Sequence, residues 1–129
     1  MRYTLLLHYP EMTAEELGQE ALAEGMAAFD VYAKALDDAG VLMSAEVLAP
    51  STATTTISRK DGDLLVQDGP FAATKEQLGG TFVVEVPDLD AAIAWAEKAP
   101  SAMYGDVEIR PTATRYVDGG WTDWTHPGA

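Results

Sequence analysis

The sequence predicts an α+β domain in which strand–helix–strand–strand–helix–strand units share one antiparallel sheet and both helices lie on the same side. Three observations predict it. A period-2 strand pattern opens the chain, over Arg2–Tyr9, and recurs over 81–86 and 106–112. A helical-period stripe follows the first strand, and a shorter one follows the run at 81–86. At 129 residues with 47% apolar content, the chain is long enough for one domain with a core and too short for two ordinary ones.

In the first strand, Tyr3, Leu5, Leu7 and Tyr9 point one way, and Thr4, Leu6 and His8 the other, before Pro10 ends it. Thr13-Ala14-Glu15-Glu16 has the form of a capping box, with Thr13 as N-cap. Leu22, Met26, Phe29, Ala33 and Leu36 then give an amphipathic helix over about residues 14–39, with Gly40 as its left-handed stop. Val41–Leu48 reads as a second strand closed by Pro50. The β-branched run 52–58, the turn Lys60-Asp61-Gly62-Asp63 and the run 64–67 suggest an inserted β-hairpin. After the core strand 81–86 come Pro87 and Asp88, an N-cap, and a helix whose buried stripe is Leu89, Ala92, Ile93 and Ala96 and which stops before Pro100. The last strand carries Val107 and Ile109 on one face, Glu108 and Arg110 on the other. A single domain over 1–117 is followed by a tail over 118–129, rich in Gly, Trp and Pro.

Without the hairpin this is the ferredoxin-like, split βαβ plan. The helices bury Tyr3, Leu5, Leu7, Phe82, Val84, Val86, Val107 and Ile109. The bare face carries Leu6 and Val83 beside His8, Glu85, Glu108 and Arg110, too apolar to stay wet and too charged for an ordinary core. Packing it against the same face of a second copy, around a polar pocket, predicts a homodimer in the form of a dimeric α/β barrel.

The net charge of −13, from 21 acidic and 8 basic residues, disfavours nucleic acid and anionic membrane surfaces as direct partners. With no cysteine there is no disulfide framework, thiolate nucleophile or Cys-ligated metal. Leu5-Leu6-Leu7 is too short for a signal peptide and no run is long enough to span a bilayer, so a soluble, cytoplasmic protein is the expectation. His8 and His126 lack metal-ligand spacing, so no metal is expected. The glycines match neither a phosphate loop nor a dinucleotide fingerprint, and no Gly-x-Ser-x-Gly elbow occurs. A cofactor is therefore not expected. Trp95, Trp121 and Trp124 read as packing or tail-docking residues.

The segment Asp68-Gly69-Pro70-Phe71-Ala72-x-Thr74-Lys75-Glu76-Gln77-Leu78-Gly79-Gly80 is the most informative stretch. It resembles the signature of the DGPF branch of the YCII-related family. Shorter matches lie in the same order: Arg2-Tyr3-x-Leu5-Leu6-Leu7, Pro50-Ser51-x-Ala53-Thr54-Thr55, Val86-x-Asp88-Leu89-Asp90-x-Ala92 and Val107-Glu108-Ile109-Arg110-Pro111. The resemblance covers the chain to about Thr112 and implies a dimeric α+β barrel. It also implies either a small enzyme with a His–Asp pair in a cleft at the dimer, including a dehydrochlorinase-like lyase, or a protein attached to or encoded beside transcription sigma factors. The counterpart of the family's Asp is Asp68. The histidine is His8 or His126, and neither lies inside a matched motif.

The residues leave several readings open. An imidazole such as His8 exchanges protons near neutral pH and a carboxylate such as Asp68 would orient it; alternatively His8 only hydrogen-bonds within the dimer contact. Asp68 also serves as a cap for its own turn. Lys75 and Glu76 either line a pocket mouth or are simply solvated. Arg110, with Glu85 on the same face, either grips a substrate carboxylate or forms a structural pair with Glu85 or Glu108; the pair is favoured. Tyr3, Tyr9 and Arg110 are candidates to assist binding. Two functions follow: cofactor-free proton-transfer chemistry of lyase or isomerase type on a small organic molecule, with His8 as base or acid and Asp68 as orienter; or a non-catalytic module that binds a ligand or serves sigma-factor and stress-related transcription.

Overall fold

The computed structural model describes residues 1–124, so His126 lies outside the described residues. Strand β1 (Arg2–Pro10) leads through a short helix α1 (Ala14–Leu17) into helix α2 (Gln19–Asp38) and strand β2 (Leu42–Val47). Strands β3 (Thr55–Lys60) and β4 (Asp63–Asp68) follow, then the long β5 (Glu76–Glu85), helix α3 (Leu89–Ala96), β6 (Asp106–Pro111), and two short strands, β7 (Tyr116–Val117) and β8 (Gly120–Trp121).

The fold is α+β with antiparallel sheets. The main sheet has the order β2-β5-β1-β6, compatible with a ferredoxin-like plan. Strands β3 and β4 pair with each other, away from that sheet, around Asp61 and Gly62, which both have positive φ as a two-residue hairpin turn of this kind requires.

The helices cover one sheet face. Tyr3, Leu5, Leu7, Phe82, Val84 and Val86 are buried beneath Tyr32 and Leu36 of α2 and Ala92 and Ala96 of α3. Val107 and Ile109, on the edge strand β6, are only half-buried. The ring of Phe82 lies 5.2 Å from that of Tyr32 and 6.3 Å from that of Phe29, and each such buried side chain contributes about 1.5–3 kcal/mol by leaving water. The Tyr32 hydroxyl donates to the Trp95 carbonyl at 2.8 Å, tying α2 to α3, and burial pushes its pKa up to about 12.

Four sequence expectations need correction. The first helix is not continuous over 14–39: Gly18 adopts φ 86° and ψ 151°, outside any helix, and divides α1 from α2. The stripe reaches the core only over its C-terminal half, through Phe29, Tyr32, Ala33 and Leu36; Met26 is 67% exposed, and Leu22 is exposed too. In α3, Leu89 and Ile93 are exposed, and the small Ala92 and Ala96 make the contact. Strand β5 starts at Glu76 rather than 81 and runs through the double glycine. The two caps are as expected: the Glu16 N–H bonds the Thr13 hydroxyl at 3.0 Å, and the Ala91 N–H bonds Asp88 at 2.9 Å.

The expected boundary at 117/118 runs through the β7–β8 turn. Asp118 and Gly119 have positive φ, and Tyr116 pairs with Trp121. The Thr114 hydroxyl donates to the Thr122 carbonyl at 2.6 Å, joining the two arms of this turn.

Candidate functional site

The bare face of the sheet is built by strict alternation. Thr4, Leu6 and His8 on β1 face the same way as Arg110, Glu108 and Asp106 on β6, because each faces its partner across the pair. On the other flank, Leu6 opposes Thr81 and Thr4 opposes Val83. Between Leu7 and His8 the register slips by one residue: Leu7 pairs with Gly80, and His8 with Leu78, leaving Gly79 as the extra residue of a β-bulge. The bulge sets where His8 meets β5.

Both glycines of the pair sit at close approaches, Gly79 under a side chain and Gly80 against backbone. A Cβ on Gly79 would lie 2.1 Å from the Tyr9 ring, and one on Gly80 2.9 Å from the Glu46 carbonyl oxygen. The Gly79 carbonyl accepts from the Tyr9 hydroxyl at 3.2 Å and the Leu48 N–H at 2.8 Å, locking β1, β5 and the exit of β2 together beside His8.

The carboxylate against His8 is Glu108. His8 Nε2 stands 2.7 Å from Glu108 Oε1, and the other oxygen of Glu108 accepts from Arg110 Nη2 at 3.2 Å. A chain His8–Glu108–Arg110 therefore crosses from β1 to β6, with His8 the least exposed of the three. With Nε2 held by the carboxylate, Nδ1 is the ring nitrogen left to exchange a proton. Beside it two further acids, Glu76 and Asp106, line the same hollow as His8 and Glu108. The Glu76 pKa is raised, chiefly by hydrogen bonding with Asp106; burial and the charge of Asp106 add to this, while His8 and Lys75 oppose it.

A cavity of about 620 Å³ opens beside His8. One wall is the segment after β2, with Leu48, Pro50, Ser51, Ala53 and Thr54; the other is the segment before and into β5, with Pro70, Phe71, Ala72, Thr74, Gln77 and Leu78. The two motif-bearing stretches at 50–55 and 68–80 thus converge on one hollow. Hydrogen bonds stiffen its walls. The Gln77 amide donates to the carbonyls of Ala72 at 2.9 Å and Thr74 at 3.0 Å, and Thr74 bonds back to the Glu76 carbonyl. The Thr56 hydroxyl holds the Gly69 carbonyl at 2.7 Å, and the Ser51 N–H is held by Glu11 at 2.6 Å. Phe71 stands at the rim, 91% exposed.

The other expected site residues lie apart. Asp68, expected to orient His8, ends β4 opposite Thr55, exposed, and is not among the lining residues. Its place against the imidazole is taken by Glu108, because β6 and not the hairpin runs alongside β1. Tyr9, expected to assist binding, points to the helix side, where its ring meets that of Tyr104 edge-on at 6.0 Å. Burial, with Tyr104 and Glu11 nearby, raises its pKa. Tyr3 is in the core. Glu85 sits opposite Arg2 at the far end of β1, with its carboxylate 3.6 Å from the Arg2 guanidinium. It is six residues along the strand from His8, or about 20 Å. Arg110 takes Glu108 of its two expected partners. Lys75 is exposed beside Glu76 and does not line the cavity.

Sequence reasoning placed Glu108 and His8 on one face but did not pair them. The alternation Asp106, Glu108, Arg110 was the available signal; the register of β6 against β1 was the missing part. Among the described residues, no group of three or more His, Asp or Glu is arranged to hold a metal ion.

Residues 1–114 match the family model described as the YCII-related domain. The chain is also similar to an uncharacterized protein of Rhizobium meliloti (strain 1021), 32% identical over 115 residues that cover 88% of this chain and 93% of that protein.

Proposed function

The chain belongs to the YCII-related family, and from that premise we propose that it is a small homodimeric enzyme of the DGPF branch that moves protons on a small organic molecule without a cofactor. The observation that carries this is the His8–Glu108 contact of 2.7 Å at the edge of a walled cavity. In the forward step Nδ1 of His8 takes a proton from an acidic C–H of the substrate, and its electron pair stays on the substrate. The imidazolium that forms is stabilised by Glu108, whose own geometry is held by Arg110. Loss of a leaving group from the adjacent carbon with its electron pair completes an elimination; return of the proton to another carbon completes an isomerisation. Asp68 plays no part in this scheme within one subunit.

The homodimer is the second element of the proposal. Leu6 and Val83 are half-exposed on the bare face, and burying them against a second copy would enclose the His8 cavity and strengthen its charge–charge interactions.

The test is deuterium washout. Candidate molecules with acidic C–H bonds are incubated with the protein in D2O and followed by proton NMR. His8→Ala is expected to slow exchange by about 10²-fold or more, and Glu108→Gln by a smaller factor. Exchange that survives His8→Ala unchanged would overturn the proposal. A chain that accelerates no exchange in any candidate would favour the non-catalytic ligand-binding or accessory module. That second reading draws support from an apolar groove on the helix side, between α2 and the 3₁₀ turn Pro100–Met103, where Val31 and Met103 are exposed.

A further inference from the structure

We propose that the His8 cavity takes an uncharged organic molecule with an apolar body and rejects carboxylates. This rests on the reading that the cavity is the substrate site, and it names the class of molecule admitted there.

The walls are predominantly apolar, with Leu48, Pro50 and Ala53 facing Pro70, Phe71 and Leu78. Such walls favour a ligand that leaves little polar surface unpaired. The lining carries one acid, Glu76; the other polar side chains besides His8 are uncharged, and several are already engaged by the protein. The Thr56 hydroxyl is held on Gly69, that of Thr74 on Glu76, and the Gln77 amide on Ala72 and Thr74. Ser51, Thr54, His8 and the Glu76 carboxylate are further polar functions on the lining.

Charge decides the rest. Among the described residues, no lysine or arginine lines the cavity. Arg110, the cation that could have gripped a carboxylate, is already bound to Glu108, and Lys75 lies off the lining. The ionisable groups around His8 are Glu76, Asp106 and Glu108, all acids, on a chain of net charge −13. A carboxylate would enter against like charge with no counter-ion to meet it. An ammonium would lose its water against the apolar walls with Glu76 as the one carboxylate on the lining, since Glu108 is already engaged by His8 and Arg110.

The test is a ligand-observed NMR screen of the full chain against single-ring fragments in three matched sets: neutral (benzamide, benzyl alcohol), anionic (benzoate) and cationic (benzylamine). Neutral members are expected to bind at least about tenfold tighter than benzoate, and to shift the His8 ring resonances. Leu78→Arg, which places a cation on the wall, is expected to turn the preference toward benzoate. Equal or tighter binding of benzoate or benzylamine to the wild-type chain overturns this inference while leaving the chemistry of His8 standing. Neutral fragments that bind while proton exchange ignores His8→Ala overturn the catalytic reading and leave this one standing. Failure of all three sets to bind removes this inference and leaves the catalytic reading to the exchange experiment.

Discussion

A Cβ on Gly105 would lie 2.1 Å from the His8 carbonyl oxygen and 2.8 Å from the Tyr9 Cβ. That approach, like the one at Gly79, is a contact between segments far apart in the chain, so nothing local in the sequence announces it. The identity of Glu108 as the partner of His8 is of the same kind. Asp68 was the reasonable expectation because it sits in the most distinctive stretch of the chain, but a carboxylate's partner is chosen by strand register and not by motif. Glu76 offers a titration test at this scale. Its pKa is raised by the bond to Asp106, so the folded state holds its proton more tightly than the unfolded chain. The resulting contribution is fully present below the ordinary carboxyl range and fades as pH rises through the raised value. Glu76→Gln keeps a donor for Asp106 without ionising. Thermal melts should therefore show the variant gaining stability over wild type as pH climbs from about 4 to 7, with the difference vanishing at the acid end. A constant difference across that range would show that Glu76 binds its proton no more tightly in the folded state than in the unfolded chain.

At the scale of elements, the caps, the Gly40 stop and the alternation of β1 were all readable, because each is a local relation among neighbours. Gly40 has φ 74°, and the Val41 N–H closes back on Leu36 at 3.1 Å. What periodicity could not say is how far a helix overlaps its sheet. Leu36 and Met26 belong to one stripe by spacing, yet Leu36 is fully buried and Met26 largely exposed. Leu36→Ala is expected to cost about 2–5 kcal/mol in denaturant melts, and Met26→Ala to stay within about 0.5 kcal/mol. Equal costs would mean that the first half of α2 is covered after all. The β3–β4 hairpin raises the same question more sharply. Ile57 pairs with Val66, both exposed, beside an exposed Leu64, and an isolated two-stranded hairpin is marginal in water.

For the whole molecule, two apolar surfaces are partly uncovered in a single chain: the bare sheet face around Leu6 and Val83, and the hairpin. Both favour a second copy as cover. Sedimentation equilibrium at micromolar concentration should give twice 13.8 kDa, and Leu6→Glu with Val83→Glu should return the mass of one chain. A wild-type chain that sediments as a single subunit would rule the dimer out. Among the described residues, no helix is long and apolar enough to cross a membrane.

By itself the sequence determined what depends on spacing along the chain. The α+β class, the inward set Tyr3, Leu5, Leu7, Phe82 and Val84, and the mixed character of the opposite face all follow from periods of 2 and 3.6. The family resemblance, carried by residues 68–80, belongs to that level too. Only the tertiary structure decided which side chains meet across strands: His8 with Glu108, Arg2 with Glu85, and residues 50–55 with 68–80 around one hollow. The physical reason is that such meetings are set by strand order and register, including one bulge at Gly79, and a slip of one residue would carry every side chain beyond it to the opposite face.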